Sequence, residues 1–108
     1  MLDVGFIGHV EAGGILPLAL LCKGSGMETI TPSSAPTYEV WGAPAGAIGL
    51  SRYDSGTLSA SNTGSIRGFR TGVLNMSAGF VAGSVYILVF SYEDSGGSYG
   101  AMGSFEVV

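Results

Sequence analysis

Residues that can act as a nucleophile, an acid or a base are few in this chain. It contains one histidine, His9, and one cysteine, Cys22, so chemistry that needs histidine must use His9. The segment Gly96-Gly97-Ser98-Tyr99-Gly100 matches the G-x-S-x-G pattern, in which a tight strand-to-helix turn exposes a nucleophilic serine and a later histidine activates it. No histidine follows Ser98. The segment therefore predicts a Gly/Ser hairpin loop, and we expect no catalytic residue and no enzyme.

The acidic residues do not match a known metal-binding spacing. Structural zinc sites take four Cys or His ligands at short regular spacings, and this chain has one of each. Asp54, Glu93 and Asp94 lie in Gly-containing segments whose spacing does not match a calcium loop. We predict solvated turn carboxylates, no metal site and no bound cofactor.

Aromatic side chains are the remaining candidates for a binding surface. Their rings supply a large apolar area with a polar tip, which is why protein interfaces are enriched in them. Trp41 shares a strand face with Glu39, Tyr53 precedes a turn signal, and Tyr99 lies in a Gly-rich segment. We predict that Trp41, Tyr53 and Tyr99 contact a partner. A flat apolar patch would indicate a protein partner, and a concave aromatic surface would indicate a glycan.

The elements that carry these residues are short strands. Residues 85–92 (VYILVFSY) combine β-branched and aromatic residues and end at an acidic, Gly-containing turn. Val85, Ile87 and Val89 alternate with Tyr86, Leu88 and Phe90, so both faces of this strand are apolar. We expect a central strand that is covered on both sides, by its own domain or by a neighbouring subunit.

Turn signals recur along the whole chain at the spacing of an all-β sandwich or barrel, about every 8–12 residues. We predict an all-β fold: a single antiparallel β-sandwich over residues 1–108, immunoglobulin-like or jelly-roll-like. Residues 1–14 would form an extended N-terminal arm or an edge strand. The further predicted elements are a strand rather than a helix at 15–22, a half-buried strand at 37–41, a hairpin of 48–53 and 57–61 about a turn at 54–56, one or two strands at 66–76, and 105–108 as the hairpin partner of 85–92.

The composition is unusually poor in charge. Only 11 % of the 108 residues are charged, whereas a soluble domain has roughly a quarter. The net charge is −4, with only four basic residues, so we expect no nucleic-acid partner. Surface charge keeps small domains apart, and its scarcity predicts a surface that is partly buried in an assembly.

The longest apolar run, residues 15–22, is too short to span a membrane, which takes about 20 residues. The preceding segment contains Asp3 and Glu11 and no basic residue, so we expect no signal peptide and synthesis in the cytoplasm from Met1. The single Cys22 cannot form an internal disulfide, and its apolar surroundings predict a small buried side chain.

The C-terminal half has a recognisable order of segments. Residues 75–89 (NMSAGFVAGSVYILV) lead through an acidic Gly turn to residues 105–108 (FEVV). This order resembles the final strands of small immunoglobulin-like β-sandwich modules in tailed-phage virion proteins, of the capsid decoration or cement type. Residues 37–41 (TYEVW), after a Pro-containing loop, are similar to an earlier strand of such modules. The immunoglobulin hallmark of two cysteines bracketing a tryptophan is absent, because the chain has one cysteine.

The resemblance implies a function as well as a fold. It implies a non-enzymatic virion protein, a phage capsid decoration or cement subunit that stabilises the shell, or a neck or tail component. The expected partners are the major capsid protein or another virion protein and further copies of the chain, as a dimer or trimer. A carbohydrate-binding β-sandwich is the alternative that the aromatic residues leave open.

Overall fold

Seven strands and no helix make up the regular structure of the described residues. The computed structural model describes residues 4–43, 49–60, 67–76 and 80–108. The all-β prediction is confirmed. Within these ranges no helix is long and apolar enough to cross a membrane. The strands are β1 (Val4–Val10), β2 (Ile15–Leu21), β3 (Thr37–Gly42), β4 (Ser51–Thr57), β5 (Phe69–Asn75), β6 (Val85–Asp94) and β7 (Gly97–Val107).

The strands form two sheets. One has five strands in the order β1-β7-β6-β3-β4, and the other pairs β2 with β5. Every pair is antiparallel except β1 and β7, which run parallel. The prediction of a purely antiparallel sandwich is wrong for that pair. The turn after β1, closed by a hydrogen bond from the Gly14 N–H to the Glu11 carbonyl, carries the chain into the other sheet, so β1 pairs with the C-terminal strand instead of with β2.

Strand β2 shows why residues 15–22 do not form a helix. Leu16, Leu18 and Leu20 are buried and the residues between them are exposed, which is the alternation of a strand. Cys22, just beyond the strand, is fully buried as predicted.

Pro17 fits into β2 because its backbone nitrogen lies at the open edge of that strand. Ser59 and Thr71 exchange both backbone hydrogen bonds across the far edge of β5. Thr71 pairs with Ala19, so the backbone groups of Ala19, and of Pro17 two residues before it, point away from β5 toward the open edge of β2. Proline has no N–H to donate, and this is the position in a sheet where that lack costs no ladder bond.

The inward side chains of both sheets form one core. The two-stranded sheet contributes three leucines of β2 and Leu74, and the five-stranded sheet contributes Tyr38, Val40 and residues of β6 and β7. Each large apolar side chain buried in this way stabilises the fold by about 1.5–3 kcal/mol. The buried residues of β6 and β7 are Tyr86, Leu88, Phe90, Phe105 and Val107.

Two local predictions are wrong. The predicted turn at residues 54–56 lies inside β4, which pairs with β3 along its length. Residues 97–103, predicted as a loop, belong to β7, and only Ser95 and Gly96 connect it to β6. Asp94 accepts a 2.7 Å hydrogen bond from the Gly96 N–H, which closes that turn. Residues 48 and 61 of the predicted hairpin, 66 at the start of the predicted 66–76 strand, and 77–79 of the segment that carries the resemblance, lie outside the described residues.

Candidate functional site

The three aromatic residues predicted to contact a partner lie in three different places. Trp41 is half-buried on the outer face of the five-stranded sheet, where it pairs across strands with Ile87 and Arg52. Tyr53 packs toward the core, and Tyr99 lies at the hairpin end of β7. They do not form a single platform.

Tyr53 faces inward because of a bulge in β4. The pairing passes from Val40 opposite Asp54 to Trp41 opposite Arg52, which leaves Tyr53 without a partner on β3. Its ring makes an edge-on contact with Tyr86 at 5.1 Å and lies 5.8 Å from Phe80. Tyr53 therefore closes one end of an aromatic core cluster.

Tyr99 lines a cleft near the turn between β6 and β7. The cleft has a volume of about 340 Å³, and its walls combine Tyr92 and Tyr99 with serine and threonine residues and Glu93. The two tyrosine rings stack with centroids 5.6 Å apart and planes 26° from parallel. The arrangement presents aromatic surface, hydroxyl groups and one acidic residue.

The hydroxyl of Tyr92 is held by the backbone of Lys23. It donates to the Lys23 carbonyl at 2.7 Å and accepts from the Lys23 N–H at 2.9 Å. Burial raises the pKa of Tyr92 above its ordinary value, and the hydrogen bond from the Lys23 backbone partly offsets that rise. Tyr92 thus fixes the segment after β2 against the five-stranded sheet, while Tyr99 borders the opening.

The outer side of the five-stranded sheet carries an apolar stripe between two ion pairs. We call it the five-strand face. Two rows of paired residues cross it, Glu39–Val89–Met102 and Trp41–Ile87–Ser104. On one rim Arg52 donates to Glu39 at 3.1 Å, and on the other His9 Nδ1 lies 2.9 Å from Glu106 Oε1.

The outer side of the β2–β5 sheet carries no charged residue. We call it the two-strand face. Its most exposed apolar side chains are Ile15 at 61 %, Val73 at 56 % and Leu21 at 39 %. The remaining members, placed by the strand register, are Pro17, Ala19, Phe69, Thr71 and Asn75.

The three aromatic residues predicted to contact a partner, Trp41, Tyr53 and Tyr99, gave no indication of the two-strand face. The signal lies in the sequence of β2, ILPLALL, because both of its alternating sets of side chains are apolar. One set fills the core, and the other is left at the surface.

A second cavity of about 380 Å³ lies between the sheets, beside β2. Leu20 and Phe90 are among its apolar walls. The backbone nitrogen of Pro17 faces the open edge of β2 and carries no hydrogen to donate. That edge is therefore poorly suited to receive another strand.

Groups that could form a metal centre are not clustered in the described residues. No set of three or more His, Cys, Asp or Glu side chains within those ranges is arranged to hold a metal ion. His9 has Glu106 beside it, but it lines neither of the two cavities.

No protein-family model, curated protein or solved structure matches this chain. Its own surfaces and the segment order described above are therefore the features that indicate its function.

Proposed function

We propose that this chain is a non-enzymatic assembly module with an immunoglobulin-like sandwich fold. In our leading assignment it is a decoration or cement subunit on the shell of a phage particle. The exposed, uncharged two-strand face is the observation that carries this proposal.

The strand order supports the immunoglobulin-like assignment. In those modules the second and fifth core strands share one sheet, and the third, sixth and seventh share the other. Here β2 pairs with β5, while β3, β6 and β7 are neighbours, and β4 extends that sheet beyond β3. A jelly roll has eight strands in two Greek keys, which agrees less well with the seven described strands.

The two-strand face supports a role in assembly. Exposed apolar residues scattered singly are normal on a soluble protein, whereas a contiguous apolar surface indicates an interaction site. Ile15 and Leu21 lie at opposite ends of β2, and Val73 of β5 is paired with Pro17 of β2. The exposed apolar surface therefore runs the length of the sheet. A partner with a flat apolar surface would bury it without having to desolvate a charge.

Such binding stabilises a shell by mass action. A subunit that binds the assembled shell and not its separated components lowers the free energy of the assembled state, by an amount per site that increases with the concentration of free subunit relative to its Kd. This mechanism requires no catalytic residue and no cofactor.

The choice of a virion as the particle depends on the resemblance of residues 75–89 and 105–108 to phage modules. A neck or tail position would use the same face against a different partner. The carbohydrate alternative has less support, because Trp41, Tyr53 and Tyr99 lie apart and the Tyr92 hydroxyl is occupied by Lys23.

The proposal is tested on particles that are purified by density-gradient centrifugation from a culture of the organism that encodes the chain. We expect mass spectrometry to find the chain in the particle band at a fixed ratio to the major shell protein. Particles stripped of the chain should bind it again, and Val73→Arg should weaken rebinding at least about tenfold, because it would bury an unpaired charge.

Val81→Arg is the matched control. Val81 is also exposed, at 45 %, but lies outside both sheets, so this variant should rebind like the original chain. Absence of the chain from every particle fraction would contradict the virion assignment. Equal rebinding of the Val73 and Val81 variants would contradict docking through the two-strand face.

A further inference from the structure

We propose that the five-strand face binds a second copy of this chain, about a two-fold axis that runs parallel to its strands. This interface is separate from the two-strand face and adds to the proposed function a second, self-associating surface. Three features of the face carry the inference: an apolar stripe, rims that each hold an ion pair, and a central position of β6.

The apolar stripe is the first feature. Ile87 and Val89 point outward from β6, with Trp41 beside them on β3 and Met102 on β7. All four side chains are half-buried by the chain itself. Tryptophan, methionine and arginine are enriched at protein interfaces, and such an aromatic residue among aliphatic neighbours is typical of an interface centre.

The charged rims are the second feature. Arg52, whose side chain is 57 % exposed, lies on β4 at one rim, and Glu106, 34 % exposed, lies on β7 toward the other. Between them the outward residues in the first half of β6 are the uncharged Val85, Ile87 and Val89, and Ser91 and the exposed Glu93 continue this side of the strand toward the turn into β7. The face thus has an apolar centre bounded by an ion pair on each side, Arg52 with Glu39 on one rim and His9 with Glu106 on the other.

The strand order makes these rims complementary to a second copy. Strand β6 is third of the five, so a two-fold axis along it lays β6 over the partner's β6 and β7 over the partner's β3. The outer strand β4 then lies over the partner's β1. Arg52 lies in the row of Trp41, Ile87 and Ser104, and Glu106 lies in the next row, opposite Val85. This axis therefore brings Arg52 near Glu106 of the second copy, and the contact occurs twice by symmetry.

The size of the face matches a modest dimer. Five strands span about 20 Å at the usual spacing, and the residues from Val85 to Val89 span about 14 Å along the strands. A patch of this size is smaller than a standard specific interface, so we expect a weak, reversible dimer whose population depends on concentration. The single tryptophan of the chain lies in the patch, so its fluorescence reports the contact.

The experiment measures the mass of the full chain by light scattering across a concentration series, with Trp41 fluorescence recorded on the same samples. We expect the mass to rise from 10.9 kDa toward twice that value, with emission shifting to longer wavelength on dilution. Arg52→Glu and Glu106→Arg should each weaken the dimer at least about tenfold, because each places like charges together. The double variant R52E/E106R restores opposite charges across the axis and should recover dimerisation to within about threefold.

Val73→Arg, on the opposite face, is the control and should dimerise like the original chain. A mass of 10.9 kDa at the highest soluble concentration would overturn the proposal. Failure of the double variant to recover, with circular dichroism showing that it is folded, would also overturn it. Loss of the dimer in the Val73→Arg variant alone would assign self-association to the two-strand face instead. None of these results depends on particle binding, so the two proposals fail separately.

Discussion

At the scale of single residues, Tyr92 joins a chain segment to the sheet through one hydroxyl group. Both polar backbone groups of Lys23 are bonded to that hydroxyl. Tyr92→Phe keeps the stacked ring but leaves both groups without this partner. We expect a loss of about 1–2 kcal/mol in the free energy of unfolding at neutral pH, measured by urea denaturation.

The same residue makes stability depend on alkaline pH. Burial raises the pKa of Tyr92 in the folded protein above its ordinary value of 10.0, so the folded state holds the proton more tightly than the unfolded state does. Its contribution is complete below pH 10 and declines as the pH rises from there through the folded-state pKa. The Tyr92→Phe variant should therefore lose less stability between neutral pH and this alkaline range than the original chain. Burial also raises the pKa of Tyr38, so part of the decline should persist. An identical decline in both proteins would contradict the assignment to Tyr92.

The candidate residues differ in how far the sequence could place them. Trp41 could be placed on an outer face because it alternates with Tyr38 and Val40, which are buried. Tyr53 could not, because the bulge opposite Trp41 changes the side of the sheet to which it points, and no residue pattern marks that bulge. The cleft at Tyr99 depends on residues 34–37 coming beside β6, a long-range contact that spacing does not encode.

At the scale of elements, Gly68 shows how closely the turn before β5 packs against the end of β2. Its φ is +78°, and an added Cβ would lie 2.5 Å from the Ile30 carbonyl oxygen and 2.9 Å from that of Cys22. Both obstacles are backbone atoms, which a rotamer change cannot move. Gly68→Ala should therefore cost about 3 kcal/mol in the free energy of unfolding, from backbone strain and overpacking together.

Gly83→Ala separates those two causes. Gly83 has a similar φ of +89°, but nothing lies within 4 Å of the position of an added Cβ. Only the strain remains there, and we expect a cost of about 1 kcal/mol by thermal or urea denaturation. Equal costs at the two positions would mean that contact with the Ile30 and Cys22 carbonyls contributes nothing.

A strand could be predicted from the sequence where an alternating set of apolar side chains enters the core. The pattern of residues 85–92 predicts β6 because its inward set, Tyr86, Leu88 and Phe90, enters the core. Residues 97–103 were not predictable in this way. Their glycines have low strand propensity, and β7 forms because β6 offers a continuous ladder of backbone partners.

At the scale of the whole molecule, the few charged residues are unevenly distributed between the two faces. The two-strand face has none, while the rims of the five-strand face carry three of the twelve Asp, Glu, Lys and Arg residues, Glu39, Arg52 and Glu106, together with His9. These groups are placed where they can contribute to the orientation of a partner. The inward side chains of both sheets share one core, so the two faces point away from each other and a subunit can use both at once.

Salt should therefore distinguish the two interfaces. Screening shortens the range of electrostatic interactions from about 10 Å at 0.1 M salt to about 3 Å at 1 M, and exposed ion pairs contribute only about 0.2–1 kcal/mol each. With two Arg52–Glu106 contacts per dimer, we expect 1 M NaCl to weaken self-association about threefold to tenfold. Particle binding through the uncharged two-strand face should be unchanged or stronger, because it depends on burial of apolar area. Sedimentation velocity measures the first effect and co-sedimentation with stripped particles measures the second. An equal response of both to salt would mean that the rims and the two-strand face do not form separate interfaces.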